Sequence, residues 1–116
     1  MSDPDCLFCK IVAGDIAADI VAESDTAIAF RDVNPQAPTH VLVIPREHYQ
    51  DVGEVAAAGD VDAGDLFRLC SEVAATEGIA ESGYRLVANT GAQAHQTVFH
   101  AHVHVLGGRP MGWPPG

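Results

Sequence analysis

His100-Ala101-His102-Val103-His104-Val105-Leu106 alternates histidine with apolar residues. Strict alternation predicts a half-buried β-strand, in which side chains at i, i+2 and i+4 share one face. The three imidazoles are therefore expected on one face, about 6–7 Å apart, while Ala101, Val103 and Val105 pack into the core. Neutral imidazole is a nucleophile, a general base and a metal ligand near pH 7, so the pattern predicts chemistry on this face.

Four more strands are predicted around the histidine strand, from short alternating or β-branched runs bounded by turn residues. They are expected at residues 20–23, 26–31, 40–44 and 84–89. The acidic residues 47–65 are expected to form an irregular surface segment with a turn or short helix. The pattern predicts one α+β domain over residues 1–116, with a five-stranded antiparallel sheet.

One long helix and one short helix are predicted beside the sheet. The long helix is expected at residues 65–80, where apolar residues recur at helical spacing. Asp60 or Asp62 is available as its N-cap, and Gly83 is the expected stop. The short helix is expected at residues 7–12.

The composition limits the location and the partners of the chain. No apolar run approaches the roughly 18 residues of a membrane span, and the first five residues lack the basic start of a signal peptide, so a cytoplasmic protein is expected. The net charge is −10 with only 6 Lys+Arg, which argues against nucleic acid as a partner. A small phosphate ligand would depend on backbone N–H groups, neutral side chains and protonated histidine.

The three cysteines, Cys6, Cys9 and Cys70, predict a reducing compartment rather than a disulfide framework. Cys70 lies on the apolar stripe of the long helix and is expected in the core. Cys6 and Cys9 form a C-x-x-C pair, which is either half of a metal site or an unliganded pair of thiols. The pair alone leaves both interpretations open.

Three interpretations of His100, His102 and His104 compete. A metal site would require the row to distort so that all three converge on one ion. A structural cluster conflicts with the rarity of unpaired buried polar groups. Nucleophilic catalysis by the central His102, with its neighbours orienting it and moving protons, fits the pattern best.

The residues before the histidine strand are suited to holding phosphate without positive charge. Gly91 lets the backbone approach closely, Gln96 and Thr97 offer neutral donors, and Asn89 ends the preceding strand. His40 is a candidate fourth histidine.

Three blocks of the chain resemble the histidine triad (HIT) superfamily and, within it, the Hint branch. They are His100-Ala-His-Val-His-Val-Leu106 with the tail to Gly116, Phe30-Arg-Asp-Val-Asn-Pro-Gln-Ala-Pro-Thr-His-Val-Leu-Val-Ile-Pro45, and Cys6-Leu-Phe-Cys-Lys-Ile11. The resemblance implies a homodimer in which two five-stranded sheets join into one ten-stranded sheet.

The resemblance also implies hydrolysis of nucleoside 5′-phosphoramidates, typically purine ones, with no cofactor required for the chemistry. It gives His102 the role of nucleophile, which attacks the α-phosphorus and forms a nucleotidyl-enzyme intermediate that water opens. His100 and His104 would orient and polarise the reacting groups, and His40 would assist proton movement.

The same resemblance implies the substrate-binding residues. Asp32 would bind the ribose hydroxyls, Asn89, Gln96 and Thr97 would lie near the phosphate and the leaving group, and Trp113 would reach the active site of the partner. The residues that match an apolar slot for the base are Phe8, Ile11, Ile16, Phe30, Val33 and Leu42.

Zinc-binding relatives place four ligands at positions that match Cys6, Cys9, His48 and His100. The resemblance thus implies a structural Cys2His2 zinc site that orients His100. Relatives without the cysteines work without metal, so zinc is not expected to be required for the chemistry.

Two positions depart from the Hint pattern. His95 stands where many members have glycine, immediately before Gln96, and bears on leaving-group preference. Arg31 stands where relatives often have histidine, beside the ribose carboxylate Asp32, and is a candidate substrate-binding residue that bears on base or ribose affinity.

Two other functions are considered. One is a dinucleoside polyphosphate hydrolase of another HIT branch, against which the Trp-Pro-Pro-Gly tail argues. The other is a zinc-stabilised dimeric nucleotide-binding or regulatory module with negligible turnover. The four histidines favour catalysis over this module.

Overall fold

Residues 3–116 are described by a computed structural model. The strands are β1 (Ile20–Glu23), β2 (Ala27–Arg31), β3 (Thr39–Pro45), β4 (Tyr84–Val87) and β5 (Val103–Gly107). The helices are α1 (Leu7–Ala13), α2 (Val52–Ala57) and α3 (Asp60–Thr76), with a 3-10 turn at Ala92–Ala94. The strands form one antiparallel sheet in the order β1-β2-β3-β5-β4. The predicted α+β fold with a five-stranded antiparallel sheet is confirmed.

A second short helix corrects the prediction of one long and one short helix. α2 lies within the acidic segment that was expected to be irregular with a turn or short helix. Its N-cap is Asp51, whose side chain accepts a hydrogen bond from the N–H of Glu54 at 3.0 Å. Within residues 3–116, no helix is both long enough and apolar enough to cross a membrane.

α3 begins and ends about one turn earlier than the predicted range 65–80. Its N-cap is Gly59, so neither Asp60 nor Asp62 is the cap; both lie in the first turn instead. Carboxylates are favoured there by the positive end of the helix dipole. The helix stops before Gly78, whose φ of +77° is a left-handed conformation that glycine adopts without strain.

The two faces of the sheet have different roles. α3 covers one face, where the small side chains of Ala27 and Ala29 allow it to pack closely. The opposite face carries α1, in a second apolar cluster whose Phe8 contacts the rings of His100 and His102. The buried members of this second cluster are Cys6, Phe8, Cys9, Ile28, Phe30, Leu42 and Ile44. One face of the sheet therefore packs on α3, and the other face carries α1 and the histidines.

The histidine segment is only partly strand, because β5 begins after His102. β3 ends at Pro45, which has no N–H to offer a neighbour, and its carbonyl accepts the Nε2–H of His100 at 2.8 Å. The N–H of Ala101 donates instead to the carbonyl of Tyr49 at 2.7 Å. Side-chain and loop bonds thus replace the ladder that the alternation predicted for residues 100–102.

Asp65 fastens the turn between β1 and β2 to α3, because Ser24 and Thr26 both donate hydroxyl hydrogen bonds to its carboxylate. We expect Asp65→Ala to lower the free energy of unfolding by about 2 kcal/mol, since hydrogen bonds to charged groups are lost. The same bonds hold the pKa of Asp65 below its usual range. The stabilisation is therefore complete above the unfolded-chain pKa of about 4 and disappears as the pH falls through the lower folded-state pKa.

Urea unfolding of both proteins between pH 3 and pH 7 measures this effect. Glu72→Ala is the matched control, because Glu72 is exposed on the same helix. A difference between wild type and Asp65→Ala that grows in acid would contradict the assignment.

Candidate active site and metal cluster

His102 is held in one tautomer by the backbone. Its Nδ1 lies 2.7 Å from the carbonyl oxygen of His100, and a carbonyl only accepts, so Nδ1 carries the proton. Nε2 therefore holds a lone pair, and His102 lines an open cleft. The ring packs edge-on against Phe8 at a centroid distance of 5.3 Å. A neutral imidazole held with its lone pair at a cleft is suited to nucleophilic attack.

A chain of hydrogen bonds fixes the tautomer of His104. The backbone N–H of Gln36 donates to Nδ1 of His40 at 3.0 Å, so His40 carries its proton on Nε2. That Nε2–H donates to Nδ1 of His104 at 2.8 Å, with Asp32 Oδ2 as a more distant acceptor at 3.3 Å. His104 therefore carries its proton on Nε2. It also lines the cleft, where it offers an N–H beside the lone pair of His102.

Burial keeps these imidazoles neutral near pH 7. Burial, with a contribution from neighbouring His102 and His40, lowers the pKa of His104 to about 4. Burial also lowers the pKa of His40, although the carboxylate of Asp32 opposes the shift. The pair is consequently a neutral hydrogen-bonded relay.

Asp32, His40 and His104 also place three potential ligand atoms within 4.8 Å of one another. Two nitrogens bound to one tetrahedral ion would be about 3.3 Å apart. The 2.8 Å between His40 Nε2 and His104 Nδ1 is instead the length of a hydrogen bond. This spacing therefore fits a hydrogen-bonded pair of imidazoles and not two ligands of one ion.

The three triad histidines do not form the predicted row. The rings of His102 and His104 are neighbours, with centroids 5.1 Å apart. The ring of His100 turns instead toward His48, also at 5.1 Å. His102 and His104 therefore line the cleft, whereas His100 belongs to a separate cluster of cysteine and histidine side chains.

An apolar cleft of about 690 Å³ opens beside His102 and His104. Phe8 and Phe30 form an aromatic wall, with ring centroids 5.4 Å apart in an edge-on arrangement. This volume and lining are typical of a site for one small organic ligand. All the residues predicted to form the base slot line it, namely Phe8, Ile11, Ile16, Phe30, Val33 and Leu42.

The charged residues at the cleft are already engaged. The guanidinium of Arg31 donates to both carboxylate oxygens of Glu77, at 2.6 and 3.0 Å, and its Nε lies 3.4 Å from Asp19. Asp32 lines the cleft, while its Oδ1 accepts the N–H of Asn34 at 2.8 Å. Arg31 therefore adds no free positive charge to the cleft.

Gln96 fastens the loop that precedes the histidines. Its buried side chain accepts the N–H of Gly91 at 2.9 Å and donates to the carbonyls of Gln50 and Val98 at 2.9 and 3.1 Å. These bonds use both hydrogens of the amide. The side chain of Gln96 thus shapes the loop, and a direct contact with phosphate stays a prediction.

The other predicted residues divide between the cleft and the surface. Thr97 lines the cleft, whereas the cleft lining does not include Asn89 or Trp113. Trp113 is 82% exposed, with Arg85 5.9 Å from its ring centroid. His95 is exposed at φ 63°, a left-handed conformation that is uncommon for residues other than glycine.

Four potential metal ligands converge on the far side of His100. They are Sγ of Cys6 and Cys9 and Nδ1 of His48 and His100, all within 4.8 Å of one another. The sulfurs lie 3.3 and 3.5 Å from Nδ1 of His100, and the two Nδ1 atoms are 3.3 Å apart. Ligands of one tetrahedral zinc ion are separated by about 3.3–3.8 Å. Because His100 donates its Nε2–H to Pro45, its Nδ1 lone pair is free for an ion.

Backbone N–H groups point at both sulfurs. Cys9 donates its N–H to Sγ of Cys6 at 3.3 Å, and Asp3 donates its N–H to Sγ of Cys9 at 3.4 Å. Burial raises the pKa of the Cys6 thiol, and the hydrogen bond from the N–H of Cys9 opposes this shift. The donor set and its spacing therefore fit a closed four-coordinate ion.

Comparison with known proteins places this site in a family. A family model described as the HIT domain matches residues 13–111. This chain belongs to the HIT family. It is 45% identical over 106 residues to the purine nucleoside phosphoramidase of Escherichia coli K12, which covers 91% of this chain and 89% of that protein.

Other HIT proteins match over nearly the whole chain. An uncharacterized HIT-like protein of Synechococcus elongatus is 49% identical over 112 residues, which is 97% of each chain. The crystal structure of a HIT family hydrolase from Legionella pneumophila superposes with a TM-score of 0.92 at 45% identity, covering 97% of this chain and 100% of that chain. The predicted resemblance is confirmed.

Sequence reasoning missed the backbone groups that set the tautomers of the HIT histidines. They are the N–H of Gln36 and the carbonyls of Pro45 and His100. No local pattern shows which peptide group will face an imidazole. Sequence reasoning also missed five residues that line the cleft. Helical spacing offered a signal for one of them, because Leu7 lies one turn before Ile11 and both line the cleft. The unpredicted cleft residues are Leu7, Ala17, Ala18, Asp19 and Val98.

Proposed function

We propose that this protein is a nucleotidyl hydrolase that cleaves purine nucleoside 5′-phosphoramidates. The observation that carries the proposal is the pairing of opposite groups at one cleft. His102 offers a lone pair and His104 offers an N–H, with ring centroids 5.1 Å apart. Displacement at phosphorus needs such a pair, because a nucleophile must attack while the leaving group gains a proton.

In the first step, Nε2 of His102 attacks the α-phosphorus, and the bond from phosphorus to the amine breaks. Nε2–H of His104 donates a hydrogen bond to the leaving nitrogen, which takes up a proton from water as it departs, so His104 stays a neutral imidazole. His102 becomes positively charged when it bonds to phosphorus, because its Nδ1 keeps its proton.

In the second step, water attacks phosphorus and breaks the bond to His102, which releases the nucleoside monophosphate. The proton that the attacking water loses passes to solvent and balances the proton that the amine took up in the first step. His102 returns to its neutral tautomer because its Nδ1–H stays on the carbonyl of His100.

The charges at the cleft favour a phosphoramidate over a dinucleoside polyphosphate. Arg31 is engaged by Glu77 and Asp19, and Asp32 adds a carboxylate. A chain of several phosphates would meet these carboxylates without a free cation to balance it. A single phosphate beside neutral imidazoles avoids that cost. The aromatic wall of Phe8 and Phe30 supports a purine base.

We also propose that Cys6, Cys9, His48 and His100 hold a structural zinc ion. When bound, zinc would supply a fixed tetrahedral anchor for these four side chains. His100 joins this cluster to the active site, since it offers Nδ1 to the ion and its carbonyl to His102. A cytoplasmic location fits the three free cysteines.

A homodimer is part of the same proposal. β4 is an edge strand of the sheet, and Tyr84 at its start is exposed. An edge strand offers unpaired N–H and C=O groups to a second copy. Joining two β4 edges would extend the sheet to ten strands. The exposure of Trp113 supports its predicted reach into the partner's active site.

The test is turnover of an adenosine 5′-phosphoramidate that carries a fluorescent amine, beside diadenosine triphosphate. We expect kcat/KM for the phosphoramidate to exceed that for the polyphosphate by about 100-fold. This ratio corresponds to about 3 kcal/mol of difference in transition-state stabilisation. Faster cleavage of diadenosine triphosphate would favour the other HIT branch. Tight binding of adenosine monophosphate with no cleavage of either compound would favour a nucleotide-binding module.

A further inference from the structure

Arg109 lies in the C-terminal tail, outside the cleft lining, and holds the loop that carries Gln36. Its Nε and Nη2 both donate to the carbonyl of Gln36, at 3.2 and 3.1 Å. The adjoining Gly108 packs on the same loop so closely that an added Cβ would lie 2.8 Å from Pro38. The tail and the loop are therefore in contact at two successive residues.

We propose that Arg109 is a positioning residue that keeps His104 in its hydrogen-bond-donating tautomer. The guanidinium holds Gln36, and the N–H of Gln36 makes Nδ1 of His40 an acceptor. His40 must then donate from Nε2 to Nδ1 of His104. Because Nδ1 of His104 accepts this bond, its proton lies on Nε2, which faces the cleft.

The carbonyl that Arg109 holds and the N–H that faces His40 lie in the two peptide groups on either side of the Gln36 Cα, so the clamp acts on the N–H through this one residue. The loop has few other hydrogen bonds that hold Gln36 in place. It has no regular secondary structure between Asp32 and Pro38, and Pro35 and Pro38 have no N–H to donate. The side chain of Gln36 donates only to Asn34 within the loop, at 3.0 Å. Two N–H groups of one planar guanidinium converge on the carbonyl oxygen of Gln36, which restricts that carbonyl more than a single hydrogen bond would.

Loss of the clamp would allow the relay to reverse. If the N–H of Gln36 turns away, Nδ1 of His40 is free to carry the proton. His40 would then accept through Nε2 from Nδ1 of His104, and Nε2 of His104 would become a lone pair. His102 and His104 would then offer the cleft two acceptors and no donor, so a leaving amine would receive no hydrogen bond from His104.

The first test reads the tautomers directly and needs no substrate. In histidine-labelled protein, nitrogen NMR distinguishes a protonated from an unprotonated ring nitrogen. We expect Arg109→Gln to mix the tautomers of His40 and His104, and Arg109→Lys to restore them in part. Arg85→Gln is the matched control for these signals, because Arg85 also holds the tail, through Gly112 at 2.8 Å. Wild-type tautomers in Arg109→Gln would overturn the proposal.

The second test uses leaving groups that differ in their need for a proton, and it rests on the proposed function. For a phosphoramidate of an alkylamine, we expect Arg109→Gln to lower kcat by about 10- to 100-fold, as for partial loss of a hydrogen bond made in the transition state, with KM little changed. For the p-nitrophenyl ester of adenosine monophosphate, which leaves unprotonated, we expect a change of less than about threefold.

Equal losses for both compounds would show that Arg109 supports only the fold, and would overturn the proposal. Thermal unfolding of each variant identifies a protein that has lost its structure. Absence of turnover by the wild type would contradict the proposed function alone, because the nitrogen signals still test the tautomers.

Discussion

Replacing His102 with alanine is expected to lower kcat for an adenosine phosphoramidate by about 10⁴-fold or more, as for loss of other enzymatic nucleophiles. His104 does not take over the role, because its Nδ1 accepts from His40 and its Nε2 carries the proton. Initial rates of amine release measure the loss. A His102→Ala protein with more than a tenth of the wild-type kcat would contradict the assignment of the nucleophile.

The covalent intermediate gives the same prediction a second measurement. A wild-type sample mixed briefly with substrate and quenched in base should carry a nucleotide on His102, because a phosphorus–imidazole bond survives base better than acid. His102→Ala should carry none. His95→Ala is the matched control and should keep the adduct, since His95 is exposed on the preceding loop. An adduct on a different residue would contradict the mechanism.

The affinity of His102→Ala for nucleotide shows whether the substitution removes catalysis alone or binding as well. The apolar cleft and Asp32 stay in place in His102→Ala, so we expect the Kd for adenosine monophosphate to change by less than about tenfold, or 1.4 kcal/mol. Calorimetric titration of wild type and variant measures this. Loss of binding with loss of turnover would show that the substitution had disrupted the cleft as a whole.

Local pattern predicted the sheet well, because period-2 alternation records which face of a strand is buried. β1 has the predicted bounds, Ile20–Glu23, and the other strands differ by a few residues at their ends. The pattern failed at His100 and His102, where the alternation begins three residues before β5 does. Pro45 explains the failure, since its carbonyl is used by the side chain of His100. A contact between residues so far apart in sequence overrides local periodicity.

The residues of the site were easier to predict than their hydrogen bonds. The residues that the resemblance assigned to an apolar slot line one cleft, as Phe8 and Phe30 do, and their contact with a base stays a prediction. It could not show that Arg31 would be engaged by Glu77, which lies at the end of α3. Nor could it show which nitrogen of His104 carries the proton, because that depends on the backbone of Gln36.

Removal of zinc from the Cys/His cluster is expected to lower stability far more than catalysis. A ligand present at 1,000 times its Kd stabilises by about 4 kcal/mol, which corresponds to a fall in Tm of about 10–20 °C for a domain of this size. Cys9→Ser should reproduce most of this fall and should hold less than one zinc per chain. Scanning calorimetry with and without a chelator, and metal analysis, measure the two effects.

Cys70→Ala is the matched control for the loss of a thiol. Cys70 lies on the buried face of α3, where burial raises its pKa to about 12, so it stays an uncharged thiol outside the cluster. This variant should keep one zinc and should lose only a few degrees of Tm, from a small cavity. A chelator that leaves the Tm of the wild type unchanged would contradict the metal assignment.

The effect of zinc on catalysis should pass through His100 alone. His100 is the one ligand whose carbonyl reaches the nucleophile, at 2.7 Å from Nδ1 of His102. Its Nε2–H bond to Pro45 remains without the ion, so the carbonyl is loosened rather than released. We therefore expect Cys9→Ser to lower kcat by about tenfold, the usual scale for an indirect contact. A loss as large as that of His102→Ala would mean that the ion takes part in the chemistry itself.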